Sequence, residues 1–108
     1  MATVRITAAA KLDIQDIFDY IAEHDSESAA EHVLGQIEAC INSLRALPAR
    51  GKLSEELVAL GVRDYREVHF KPYRIVYGVF GNAVDIFLVA DRRRNMKALL
   101  QRRLLNLS

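Results

Sequence analysis

The sequence predicts an α+β fold, with an N-terminal strand and a helical hairpin packed on a small antiparallel sheet and a C-terminal amphipathic helix to close. Three observations predict it. Apolar residues recur twice at helical spacing in the first half of the chain, the period shortens to that of strands from Val62 in three runs parted by short turns, and the last segment returns to helical spacing. The 108 residues show no linker, repeat or low-complexity tract, so one domain over residues 1–108 is expected.

"TVRIT" places β-branched residues at Thr3, Val4, Ile6 and Thr7 and reads as a first strand. Thr7 can also cap a helix through "AAAKLDIQDIFDYIAEH", where Ile14, Ile17, Phe18 and Ile21 share one face. Beside that face, Asp13, Asp16, Asp19 and Glu23 form an acidic stripe that reads as solvated. "HDSES" interrupts the pattern, and Ser28 to Glu31 has the form of a capping box that restarts it. The second helix carries Ala30, Val33, Leu34, Ile37, Ile41 and Leu44. It should stop near "LPARG", because Pro48 disfavours helical dihedrals at Leu47 and Gly51 permits a turn.

"VRDYREVHF", "YRIVYGVF" and "AVDIFLVAD" supply the strands, parted by Lys71-Pro72 and by Gly81-Asn82, and such short turns signal an antiparallel meander. In the closing "RNMKALLQRRLLNL", Met96, Leu99, Leu100, Leu104 and Leu107 project within about 140° of one another. Arg103 lies among these leucines, so it must snorkel, pair with an acid or meet a partner. Leu105 lies on the polar side, where packing within one chain gives it no use.

Composition narrows the function. At 51% hydrophobic and 27% charged the chain is not a disordered tail, and no stretch approaches the roughly 18 apolar residues that span a bilayer. Cys40 is the only cysteine, so no internal disulfide can form and a small buried apolar role is expected. With no apolar signal run at the N-terminus, these features read as a reduced, cytoplasmic protein without a membrane role. The net charge of +1 hides an asymmetry: residues 1–60 hold five Lys/Arg against ten Asp/Glu, and residues 61–108 hold ten against four. One half is therefore at −5 and the other at +6, and the basic half suits an acidic partner.

There is no phosphate-binding Gly-rich loop and no metal-ligand spacing, so no cofactor or metal is expected. His24 and His32 read as surface residues. His69, at a strand end beside Lys71 and Arg74, is the histidine best suited to proton transfer. Arg63, Arg66, Lys71 and Arg74, with Arg92, Arg93 and Arg94 after the last strand, are expected to share one end or face of the sheet. Tyr65, Tyr73 and Tyr77 interleave them. Such an array suits RNA, by phosphate pairing and base stacking, or an acidic protein surface. Lys97, Arg102, Arg103 and Leu105 extend it along the last helix, where an acidic peptide is expected to dock.

The helix opening "AAAKLDIQDIFDYIAEHD", the "LRALPARGKLSEEL" after the second helix, and "VRDYREVHFKPYRIVYGVFGNAVDIFLVADRRR" resemble the RelE/ParE superfamily of toxins from bacterial type II toxin–antitoxin modules. The tract "PYRIVYGV" ahead of a Gly-Asn hairpin is the most specific part, and together the segments cover nearly the whole chain. The resemblance implies a small antiparallel sheet flanked by a helical hairpin, and a cognate antitoxin that binds and neutralises the toxin. It also implies one of two targets. RelE-like members cut mRNA in the ribosomal A site with basic side chains and often a tyrosine, whereas ParE-like members inhibit DNA gyrase.

Arg74 in "PYRIVY" and Arg93 match arginines that the nucleases use, with His69 as the stand-in for a missing base. The strand "RDYREVHF" offers no lysine pair where those nucleases carry one, and the expected tyrosine falls at Leu99. Cations without an acid/base pair favour the ParE-like, non-enzymatic branch. A metal-free mRNA endoribonuclease is the alternative, and a degenerate toxin acting only in antitoxin-mediated repression is a further one.

Overall fold

The computed structural model describes residues 1–106, so Leu107 of the predicted apolar stripe lies outside the described residues. The elements run β1 (Thr3–Ile6), α1 (Ala8–His24), α2 (Glu27–Ser43), β2 (Lys52–Leu53), α3 (Glu55–Ala59), β3 (Tyr65–Phe70), β4 (Tyr73–Phe80), β5 (Ala83–Asp91) and α4 (Met96–Leu105). They form the α+β fold expected, around one five-stranded sheet in the order β1-β5-β4-β3-β2.

The β3–β4–β5 meander is antiparallel throughout, with Gly81 at φ +61° in the second turn, where a side chain would be strained. β1 differs from the rest of the sheet. It joins the far edge parallel to β5, with Thr3 opposite Ala83 and Ile6 opposite Ile86. No tight turn links these strands, so their mutual direction is a tertiary outcome that local sequence does not encode.

Helices cover both faces. α1 and α2 pack on one, over Ile75, Tyr77, Val84, Ile86 and Val89, with Ile37, Ile41 and Leu44 fully or almost fully buried. α3 and α4 pack on the other, over Tyr65, Val76, Phe87 and Leu88, through Leu57, Met96 and Leu100. Strand alternation explains the division, since neighbouring residues of β4 face opposite ways. The alternation slips once: Val76 pairs with Leu88 but Tyr77 pairs with Ile86, which leaves Phe87 as the extra residue of a bulge.

Thr7 caps α1 as expected, its hydroxyl accepting from Ala10 N at 3.1 Å. The cap of α2 is Ser26, not Ser28. Its hydroxyl accepts from Ala29 N at 3.0 Å, so α2 starts with Glu27 and no capping box forms. β3 begins at Tyr65 rather than Val62, and β2 and α3 fill a stretch that shows no periodicity in the sequence. Gly51 ahead of β2 is there for close approach: a Cβ would come within 2.5 Å of Glu67 O and 2.7 Å of the Tyr77 hydroxyl. Instead Gly51 N–H donates to that buried hydroxyl at 2.9 Å. Among the described residues, no helix is long and apolar enough to cross a membrane.

Candidate functional site

The hairpin register places His69 directly opposite Arg74, with Glu67 two residues back on the same face. Arg74 lies beneath α3. Its Nη1 and Nη2 donate to the Glu56 carboxylate at 2.9 and 2.6 Å, and Nη2 also donates to Glu67 Oε2 at 2.6 Å. His69 Nε2 lies 2.8 Å from Glu67 Oε1, and an ionised carboxylate fixes the proton on that nitrogen. Glu67 is 3% exposed. The bidentate hydrogen bond from Arg74 holds the Glu56 carboxyl below its usual range against an opposing push from burial, and the same contact raises Arg74 further.

Two carboxylates therefore meet one guanidinium, with His69 hydrogen-bonded to one of them. The sequence shows the cations of this site; the fold brings Glu56 and Glu67 against Arg74 to offset its charge. A signal for each exists. "SEEL" puts two acids in the first turn of a short helix, and alternation in "YREVHF" puts Glu67 on the face of Tyr65 and His69.

A second cluster corrects two expectations. Asp13 is not part of a solvated stripe, and Arg103 is not free for a partner. Arg103 Nη1 and Nη2 donate to the Asp13 carboxylate at 3.0 and 2.9 Å, and Nη1 also donates to Phe87 O at 2.8 Å. Asp13 Oδ2 accepts in turn from Val89 N at 3.0 Å. The reason is the end of β1: its pairing with β5 stops at Ile86, and beyond the bulge the edge of β5 turned away from β4 has no strand beside Phe87 and Val89. Two side chains from α1 and α4 take the place of that strand.

The remaining cations do not form the single array expected. Arg66 lies near the start of β3 and donates to Gly51 O at 2.8 Å, while Arg63 precedes the strand. Lys71 stands beyond the other end of β3, five residues of extended chain or roughly 16 Å from Arg66. Arg93 Nε and Nη2 donate to Asp91, with the closest contact at 2.5 Å, and this lowers the carboxyl of Asp91. Tyr65 and Tyr77 are buried in the two cores, so of the three tyrosines Tyr73 alone is left half-buried at the surface. Arg92, Arg94, Lys97 and Arg102 are exposed and make no ion pair among the described residues. Leu105 is 80% exposed, as its position on the helix wheel predicts.

The comparisons agree with this architecture. The search of curated proteins finds no match. The fold is shared with the chromosomal ParDE toxin–antitoxin system of P. aeruginosa, at 19% identity and a TM-score of 0.71 over 84% of this chain and 96% of that one. It is shared also with the RelBE2 toxin–antitoxin complex of Mycobacterium tuberculosis, at 21% identity and a TM-score of 0.61 over 84% of this chain and 98% of that one. The model of the ParE toxin family of type II toxin–antitoxin systems matches residues 4–96, and the chain belongs to that family.

Proposed function

We propose that this ParE-type toxin is a single-domain, cytoplasmic protein that inhibits DNA gyrase by binding it and is itself neutralised by a cognate antitoxin. The observation that carries the choice against RNA cleavage is that both Nη atoms of Arg74 are taken up by the carboxylates of Glu56 and Glu67. Metal-free cleavage of RNA needs a base for the 2′-hydroxyl, an acid for the leaving oxygen and a cation whose charge is available to the transition state. Arg74 has given its charge to Glu56 and Glu67, and two carboxylates around one guanidinium leave it no spare positive charge for a phosphodiester. His69 Nε2 is engaged by Glu67, and Leu99, at the position where the nucleases carry tyrosine, packs partly buried against the α3–α4 core. Arg93 is exposed but paired with Asp91.

What is left for recognition, besides Arg63 and Lys71 at the two ends of β3, is the set of exposed cations on and before α4, Arg92, Arg94, Lys97 and Arg102, with Leu105 as an apolar contact. An acidic protein surface matches it. The likeness to structures of a ParDE system and a RelBE2 toxin–antitoxin complex supports an antitoxin as the first such partner. The test pairs two assays. Purified toxin is expected to abolish supercoiling by gyrase at molar excess, and primer extension on mRNA from expressing cells is expected to show intact messages. Undiminished supercoiling together with codon-phased cuts would overturn the reading in favour of the nuclease.

A further inference from the structure

A groove of about 470 Å³ lies between α1 and the end of the sheet where β4 begins and β5 stops. Ile17 and Ile21 from α1 and Val89 and Ala90 from β5 give it an apolar floor, and Tyr20 and Tyr73 complete the lining. Tyr20 is 64% exposed, yet its ring stacks on His24 at 4.1 Å, and His24 Nδ1 lies 2.9 Å from Tyr20 O. An aromatic ring held in place at the surface offers contact area at little entropic cost.

The charges around the groove are mostly spent. Asp13 holds Arg103 and the Val89 N–H, and Asp91 holds Arg93. That leaves one carboxylate, Asp16, and one guanidinium, Arg94, with no side-chain hydrogen bond or ion pair among the described residues. They come from opposite walls, one on α1 and one just after β5. Arg92 and Lys97, also unpaired, add positive charge on the Arg94 side, so an incoming carboxylate is favoured there and a backbone N–H or a cation at Asp16.

We propose that this groove docks one large apolar side chain from an acidic segment of the antitoxin, with a neighbouring carboxylate of that segment on Arg94. The proposal rests on the toxin–antitoxin reading above and adds an anchor on the α1 side of the sheet, where the sequence suggests only a solvated stripe. Opposite charges on the two walls also fix the direction in which the peptide lies.

The test uses labelled peptides of about twelve residues tiling the cognate antitoxin, titrated onto purified toxin by fluorescence polarisation, with calorimetry on the full antitoxin alongside. One peptide carrying a large apolar residue next to Asp or Glu is expected to bind. Arg94→Glu is expected to weaken it at least tenfold and Tyr20→Ala at least fivefold, with Arg94→Lys close to wild type. Lys52→Glu, on the strand at the far edge of the sheet, is expected to change nothing. These positions are exposed, and circular dichroism verifies that each variant folds. Wild-type affinity in both Arg94→Glu and Tyr20→Ala overturns the site. If no peptide binds alone, the full antitoxin decides: a tenfold loss in Arg94→Glu upholds the site and no loss refutes it. Loss of gyrase inhibition with antitoxin binding intact assigns the groove to the target and sinks the proposal. An antitoxin that fails to bind even wild-type toxin overturns the parent reading, and the groove assignment with it.

Discussion

Asp13→Ala is expected to destabilise this toxin by about 3 kcal/mol, an unusual cost for an aspartate on a helix that reads as solvated. Removing one partner of a fully buried ion pair costs about 3–5 kcal/mol. The Asp13 and Arg103 side chains are 18% and 19% exposed, so water relieves part of that and the lower end applies. Loss of the acceptor for Val89 N–H adds about 1–3 kcal/mol, though not in full, because Arg103 and Val89 share the same carboxylate. At roughly 4–8 °C per kcal/mol, the melting temperature should fall by roughly 12–24 °C. Asp13→Asn keeps an oxygen for Val89 and loses the charge, and should cost about 1–2 kcal/mol. Urea unfolding followed by circular dichroism measures both. Adding Arg103→Met to Asp13→Ala removes the unpaired guanidinium, so the double variant should be at least about 1 kcal/mol more stable than the sum of the singles. If Asp13→Ala stays within about 0.5 kcal/mol of wild type, or the two changes simply add, the pair does not replace a strand.

Three further outcomes follow from particular contacts. The folded carboxyl of Glu56 is lowered from its ordinary 4.5, so its pairing with Arg74 stabilises above that value and is lost as acid protonates it. Glu56→Gln should therefore lower the urea midpoint at neutral pH and flatten its decline between about pH 5 and 3; an unchanged acid slope would show that the pair contributes nothing. Gly51→Ala should cost about 1–3 kcal/mol in thermal melts, because its Cβ meets the backbone oxygen of Glu67 at 2.5 Å and that oxygen cannot swing aside. Leu100→Ala should cost about 2–5 kcal/mol, whereas Leu105→Ala should stay within about 0.5; equal effects would place α4 differently on the sheet.

The legible parts of this fold are those governed by local rules. Ile14, Ile17, Phe18 and Ile21 identify α1, Thr7 its start, and Gly81-Asn82 the β4–β5 turn, because each depends on neighbours in sequence. α3 is hidden for the opposite reason. Five residues are too few for a helix to hold itself, and this one is fastened by Leu57 in the core and Glu56 on Arg74. The site divides the same way. The opposition of His69 and Arg74 follows from the hairpin, so it could be read in advance. That Arg103 would be spent on Asp13 could not, since the pair spans 90 positions and exists because a bulge bares the Phe87 carbonyl. The guanidinium count was available from the sequence; which of them stay unpaired depended on the fold.

The parallel pairing of β1 with β5 has a consequence for synthesis. Arg5 meets Asp85 across 80 positions, so the first strand has nothing to pair with until most of the polypeptide has emerged. The clasp between the first helix and the last must wait for still later codons. A nascent chain that stops short of β5 leaves its first strand without a partner, and one that stops short of α4 leaves Asp13 without Arg103.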